Sequence, residues 1–264
     1  MEDTFLPAGL QTRLCSLPFR EESIGQSGSR VFIYEDCVLK TGPATPEAAK
    51  EAELLSWLAG RLPAPECLYF DCDEKSYWLL MSRIRGGMAC EDRYMADPAG
   101  LISTLAEAIE LLWATDTRGC PVSDGLDEKL ALAEIAVEKG AVDVENAEED
   151  TFGPGGFASP EALLSWLKNN RPGDDPVFSH GDLCLPNVLL TSRGLSGFID
   201  LGRSGVCHRW NDIAILRRSL IHNYRGRYAR KIYAGFEEDM LISALGLKKD
   251  PELLRYFVLL DELG

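Results

Sequence analysis

Residues 177–190, VFSHGDLCLPNVLL, followed by FIDLGRSG at 198–205, constrain this chain more than any other feature. They set a His-Gly-Asp, an Asn five residues after that Asp, and a second Asp beside short runs of strand-forming residues. Apolar runs this short, broken by Gly and Pro, read as strands joined by loops. Asp182, Asn187 and Asp200 therefore fall at loop–strand junctions. Taken singly, each is an ordinary turn residue accepting local backbone hydrogen bonds. Taken together, they are one carboxylate able to orient a hydroxyl and accept its proton, plus an amide oxygen and a second carboxylate able to hold Mg²⁺ against phosphates. Phosphoryl transfer from a nucleotide needs that set.

The rest of the chain is compatible with it. At 264 residues there is enough material for a core and for division into two lobes. No apolar run is long enough for a membrane span. The N-terminal MEDTFLPAGL carries acidic residues ahead of its apolar patch, the reverse of a secretory leader. The eight cysteines are scattered without a C-x-x-C pair, which favours reduced thiols in a cytoplasm. A net charge of −15 argues against nucleic acid or an anionic membrane as partner. It suits a cationic partner if the charge gathers near a cleft.

Along the chain, residues 23–40 read as hairpin strands turning at Glu35-Asp36. A helix follows, capped by Thr45 with Pro46 at its first position and ended at Gly60. Residues 62–66 are an extended break and 77–82 another apolar strand. From Pro98 the pattern turns helical, with Leu101, Leu105, Ala108, Ile109 and Leu112 on one face. Residues 126–139 are a second helix. The acidic run DVENAEED (143–150) and the Gly/Pro-rich TFGPGGFASP then form an excursion before a helix starting at Ser159-Pro160. Arg193-Gly194 reads as a hairpin turn. Residues 210–221, 228–245 and 251–263 read as closing helices.

Ahead of the Asp-bearing loops, Gly25-Gln26-Ser27-Gly28-Ser29 joins two strand-like runs. Its small residues let backbone N–H groups approach phosphate oxygens, with Ser27 as a further donor, although a plain hairpin turn has the same composition. Lys40 is expected at the end of the strand that follows, where it can reach two phosphates or simply be solvated. Glu51 on the next helix is the preferred partner for Lys40, with Glu53 the competitor. His180 reads as structural. Protein kinases use the same order: a catalytic-loop Asp, an Asn five positions on, a later Asp, a strand lysine and a helix glutamate.

On VFSHGDLCLPN, GFIDLGRSG and the C-terminal YFVLLDELG, supported by WLAGRLPAPE (57–66) and LLMS (79–82), the chain resembles the aminoglycoside 3′-phosphotransferases, antibiotic-resistance kinases related in fold to protein kinases. The resemblance runs from about residue 25 to the end. It implies an α+β, two-lobed protein-kinase-like fold, with a β-rich N-lobe (1–86) and a mainly helical C-lobe (87–264). It implies that Asp182 is the catalytic base and that Asn187 and Asp200 are Mg²⁺ ligands. Lys40, held by Glu51, and Ser27 would contact the phosphates of ATP or GTP. The backbone from Ser82 to Ile84 would receive adenine. Glu145, Glu148, Asp150, Asp261, Glu262 and the terminal carboxylate of Gly264 would hold the aminoglycoside, a polycation that suits the acidic composition, and Arg203 would steady the metal-binding segment. The resemblance also implies a cytoplasmic monomer or weak dimer. The chain departs from the family pattern at Gly264 and Val38, where aromatics are usual, at Ala147, and in about eight extra residues near Gly153. A kinase of another small cation or sugar, and an inactive pseudokinase that only binds, are the alternatives.

Overall fold

The computed structural model describes residues 6–14, 17–22, 29–228 and 230–264. Its first sheet is antiparallel, in the order β1-β2-β3-β5-β4: β1 (Arg20–Glu22), β2 (Arg30–Ile33), β3 (Cys37–Pro43), β4 (Cys67–Cys72) and β5 (Ser76–Ser82). The two-residue side-chain period of a strand sorts it into two faces. Leu39, Trp78 and Leu80 turn toward Phe32 and the short helix α1 (Ala8–Leu14). Tyr77, Leu79 and Met81 turn toward α2 (Pro46–Leu58) and the rest of the molecule. Lys40, paired opposite Leu79, is on this second face. It sits inside β3 rather than at its end, because Thr41, Gly42 and Pro43 continue the ladder with Trp78, Tyr77 and Ser76.

Helix starts follow a local rule. Thr45, Asp97, Ser159 and Asp250 each accept a hydrogen bond from a backbone N–H of the first turn, and each is followed by Pro. A side-chain oxygen satisfies a donor the helix cannot, and Pro has no N–H to orphan. These caps open α2, α4 (Pro98–Trp113), α6 (Pro160–Asn169) and α9 (Pro251–Asp261); α3 (Asp92–Met95), α5 (Leu126–Glu138), α7 (Trp210–Tyr224) and α8 (Met240–Ala244) complete the set. The helix expected over 228–245 shrinks to α8. Gly226 and Gly235 take positive φ of 77° and 83°, Arg230 takes 53°, and Ile232 is 79% exposed, so this stretch lacks both helical backbone and a face to bury.

Two small antiparallel sheets carry the loops of interest. One is β6 (Gly87–Met88), β8 (Val188–Thr191) and β9 (Gly194–Phe198); the other pairs β7 (Pro176–Ser179) with β10 (Gly205–His208). A single buried cluster joins Leu54, Leu55, Leu58 and Leu79 of the first ninety residues to Phe178, Leu183, Val188, Phe198 and Leu201. The Phe198 amide also donates to the Pro63 carbonyl at 2.9 Å. The sheet face bearing Lys40 is thereby fixed against the segment bearing Asp182 and Asp200. A second cluster joins α5, α6, α7 and α9.

Candidate active site

Lys40, on β3, and Asp200, just past β9, are 160 residues apart in sequence and 2.7 Å apart in space, Nζ to Oδ1. Lys40 Nζ also lies 3.0 Å from Glu51 Oε2. Glu51 is 3% exposed whereas Glu53 faces solvent, which settles the pairing in favour of Glu51. Burial opposes the charge on Lys40, but the two carboxylates outweigh it and raise the pKa well above the ordinary lysine value. Burial pushes the Glu51 carboxyl up, with Lys40 opposing. Asp200 ends lowered, because the Lys40 ammonium overcomes the effect of burial. Removing either carboxylate would leave a mostly buried ammonium under-compensated.

Asp182 and Asn187 share one loop. Asn187 Nδ2 donates to the Asp182 carbonyl at 2.9 Å and to its Oδ2 at 3.2 Å. Oδ1 of Asn187 is thereby turned away as an acceptor. Burial raises Asp182, Asp261 adds to the rise, and His180 and Arg203 oppose it. Arg203, whose carbonyl closes on the neighbouring Gly181, reaches Asp261 with its guanidinium at 3.7 Å and so links this loop to the C-terminal helix. The loop's shape is over-determined. Gly181 has φ of 84°, and a Cβ there would sit 1.8 Å from the Arg203 carbonyl oxygen. Only glycine permits that approach. His180 is fully buried, with its Nε2 3.0 Å from the Ile199 carbonyl and its own carbonyl accepting from Ser204 Oγ at 2.7 Å, which is a structural role.

One residue that organises this loop was not singled out from the sequence. Asp212, fully buried on α7, accepts from Ser179 Oγ (2.9 Å), the His180 amide (2.9 Å) and the Gly181 amide (3.1 Å). Ser219 on the same helix accepts from the Leu185 amide at 3.0 Å. The available signal was a carboxylate inside the otherwise apolar run WNDIAIL, which has to find buried donors.

Asp200 adopts φ of 59°, left-handed for a non-glycine, with its side chain half exposed. Such backbone costs about 1–3 kcal/mol and persists where surroundings impose it. Here it turns the carboxylate toward Lys40. Asn187 Oδ1 and the Asp200 carboxylate are hard oxygen donors, too few to cage an ion alone but suited to Mg²⁺ that keeps water and phosphate ligands. Among the described residues no cluster of three or more His, Cys, Asp or Glu forms a protein-only metal site. Ser27 lies outside the described residues. At the segment from Ser82 to Ile84, the Ser82 amide donates to the Glu66 carbonyl at 2.9 Å and its hydroxyl accepts from the Glu66 amide at 2.8 Å. The Arg83 amide donates to the Asp36 carbonyl. Of these three amides, that of Ile84 is the one with no partner among the described residues.

The acidic residues expected to hold a cation are brought together, but not as bare carboxylates. The Glu148 amide donates to Glu262 Oε1 at 3.3 Å, tying residues 143–150 to the C-terminus. Glu148 Oε1 lies 3.0 Å from His222 Nε2 and its Oε2 lies 3.2 Å from Arg227. Arg218 bonds Asp261, and Glu262 at 3.3 Å. Arg203 lies 3.7 Å from Asp261, and so holds the C-terminal helix rather than the Asp200 segment alone. Asp150 pairs with Arg255 at 2.9 Å. Glu145 is exposed without an ion-pair partner among the described residues, and Gly264 is exposed at the chain end. His222 and then the arginines lower the pKa of Glu148, while burial raises that of Glu262.

A β-sheet carrying a buried Lys–Glu pair, closed over a helical body carrying an Asp–Asn loop and a second Asp, defines a two-lobed protein-kinase-like phosphotransferase. A family model described as the phosphotransferase enzyme family matches residues 19–244. An aminoglycoside 3′-phosphotransferase from Enterococcus faecalis is 36% identical over 223 residues, covering 83% of this chain and 80% of the relative. A streptomycin 3″-kinase from Streptomyces griseus is 32% identical over 253 residues, covering 90% and 89%. The crystal structure of an aminoglycoside-3′-phosphotransferase of type VIII superposes with a TM-score of 0.80 at 28% identity, over 97% of each chain. The chain belongs to the phosphotransferase enzyme family.

Proposed function

We propose that this enzyme transfers the γ-phosphoryl group of ATP or GTP to the 3′-hydroxyl of an aminoglycoside. The observation that carries the reading is the Asp182–Asn187 loop, set between the Lys40–Glu51–Asp200 cluster on one side and the C-terminal carboxylates on the other. Residues 1–86 serve as the nucleotide lobe and 87–264 as the catalytic and acceptor lobe. The Ile84 amide is the free donor for the base edge of the nucleotide. Lys40, kept charged by its carboxylate partners, faces the phosphates. Asp182, raised by burial, takes the hydroxyl proton more readily than an exposed carboxylate would. Asn187 and Asp200 would hold Mg²⁺, which when bound neutralises the phosphate charge. Positioning and electrostatics supply most of the rate in such reactions. The product carries a phosphate dianion on a molecule that relies on positive charge to bind RNA. Glu145, Glu148, Asp150, Asp261, Glu262 and the Gly264 carboxylate form the acceptor side. Among the described residues no helix is long and apolar enough to cross a membrane. We read the enzyme as a cytoplasmic monomer or weak dimer.

The test is phosphate transfer by the purified enzyme, with ATP and GTP in turn, to kanamycin, streptomycin and choline, with the modified position mapped by NMR. The 3′-phosphate of kanamycin is expected. Transfer to streptomycin alone would move the reading to a 3″-kinase, as the Streptomyces griseus relative is named. Transfer to choline alone, or none, would overturn it.

A further inference from the structure

Glu148 is held by two side chains of its own chain. The His222 Nε2 lies 3.0 Å from Oε1, and Arg227 lies 3.2 Å from Oε2 and 3.1 Å from His222 Nε2. The two partners differ in how firmly they are held. His222, on the last turn of α7, is 11% exposed in its side chain, and its Nδ1 is fixed by the Tyr228 hydroxyl at 3.0 Å. Arg227 is 41% exposed, follows Gly226 in an irregular segment, and makes no ion pair besides Glu148 among the described residues. Asp261 and Glu262 are held differently again, by Arg218, whose side chain is 22% exposed and which bonds both. Of the two side chains that hold the Glu148 carboxylate, Arg227 is the more exposed.

We propose that Arg227 is a specificity-determining residue, a displaceable cap that competes with a substrate ammonium group for the Glu148 carboxylate. This rests on the reading of residues 143–150 as the acceptor side. A guanidinium and an ammonium on one carboxylate repel each other and share its charge, so a ligand ammonium that uses Glu148 competes with Arg227 for it. An ion pair with a partly exposed guanidinium contributes modestly. That is weak enough for displacement by a well-placed ammonium group and large enough to reduce its apparent affinity. The cap therefore lowers the apparent affinity of acceptors whose ammonium has to reach Glu148 and leaves unaffected those held by other contacts.

The experiment is steady-state kinetics with kanamycin at low salt, alongside calorimetric binding of kanamycin without nucleotide, for the wild type, R227Q, R227K, the double variant R227Q/E148Q, and R193Q. Arg193 is an exposed residue of the β8–β9 turn, so R193Q removes the same charge elsewhere. R227Q should lower KM and the dissociation constant about fivefold with kcat unchanged, while R227K and R193Q stay at the wild-type values. The gain should vanish in R227Q/E148Q, because it acts through Glu148. An unchanged or raised KM in R227Q, with wild-type turnover of kanamycin intact, overturns the cap and leaves the proposed function standing. A gain that persists in the double variant, or is matched by R193Q, also overturns it, by showing a general charge effect. Wild-type enzyme that neither binds nor phosphorylates kanamycin overturns the proposed function and the cap with it.

Discussion

The proposed phosphate side and the proposed acceptor side of this molecule use charge in opposite ways. On the phosphate side, Lys40, Glu51, Asp182 and Asn187 stand on strands, a helix and a loop locked by Asp212, and Glu51 and Asn187 are buried. The acceptor side stands on residues 143–150 and the last turn of the chain, where Glu145 and Asp150 are exposed. Its other carboxylates are paired with Arg218, Arg227 and His222. Preorganisation accelerates a reaction when the groups meet charge that develops in the transition state. Adaptable, screened pairs suit a partner whose shape varies. Changes on the first side should therefore cost orders of magnitude in rate, and changes on the second should cost factors in KM.

The largest effect is expected at Asp200. Asp200→Ala removes a proposed metal carboxylate and one of the two partners of Lys40. Transfer should fall below detection, and nucleotide binding should weaken far more with Mg²⁺ than without it. Equal loss of both kinds of binding, measured by calorimetry, would show that the residue acts through the fold instead. Asp182→Asn comes next. It keeps the size and the contact region of Asn187 but removes the proton acceptor, so kcat should drop by roughly 10²–10⁴ with nucleotide KM little changed. Near-normal turnover would remove Asp182 from the role of base.

Asp212→Asn separates loop geometry from chemistry. It puts an amide NH₂ where one carboxylate oxygen accepts from the His180 amide or from Ser179 and Gly181. One buried donor is left facing another donor, a loss of about 1–3 kcal/mol. The urea midpoint should fall accordingly, and kcat should fall with it because the Asp182 loop loses its anchor. A variant with wild-type stability and reduced kcat would give Asp212 a direct part in the chemistry.

How much of this was legible in the sequence follows the same division. The phosphate side was readable because its residue types are chemically demanding and lie in short local patterns: His-Gly-Asp, the Asn five positions on, and Asp-Leu-Gly. The Thr/Asp/Ser-Pro helix starts were readable for the same reason. Lys40 was misplaced to a strand end, since ladder length depends on a partner strand about 40 residues away. The false helix at 228–245 came from reading composition without weighing Gly235, whose positive φ, with that of Arg230, breaks it. Asp212 and the Arg227–His222 pair on Glu148 stayed hidden because burial and pairing are tertiary facts. A sequence shows that carboxylates cluster but not which cations already hold them.

The smallest expected effect sharpens the comparison within the acceptor side itself. Glu148 and Glu262 are neighbours, yet their titration runs in opposite directions. His222, then Arg227 and Arg218, lower Glu148. A carboxyl lowered in the folded state contributes stability above its unfolded value, about pH 4.3, and loses it as pH falls through the folded value. Burial raises Glu262 despite Arg218. A carboxyl raised in the folded state contributes below the unfolded value and loses that contribution as pH rises through the folded one. Glu148→Gln should therefore lower Tm at pH 7 by no more than about 3 °C, the scale of a partly exposed ion pair in a chain of this size. The difference from wild type should shrink as pH falls below about 4.3 and close only once pH has passed below the lowered folded value. Glu262→Gln removes a charge that burial disfavours and still offers an oxygen to the Glu148 amide, so its Tm at pH 7 should equal or exceed that of the wild type. Melting curves of the three proteins from pH 7 to pH 3 decide the matter. Equal losses in both variants at pH 7 would mean that the two carboxylates act as one shared charge on Arg218, and that the acceptor side is more rigid than its exposure suggests.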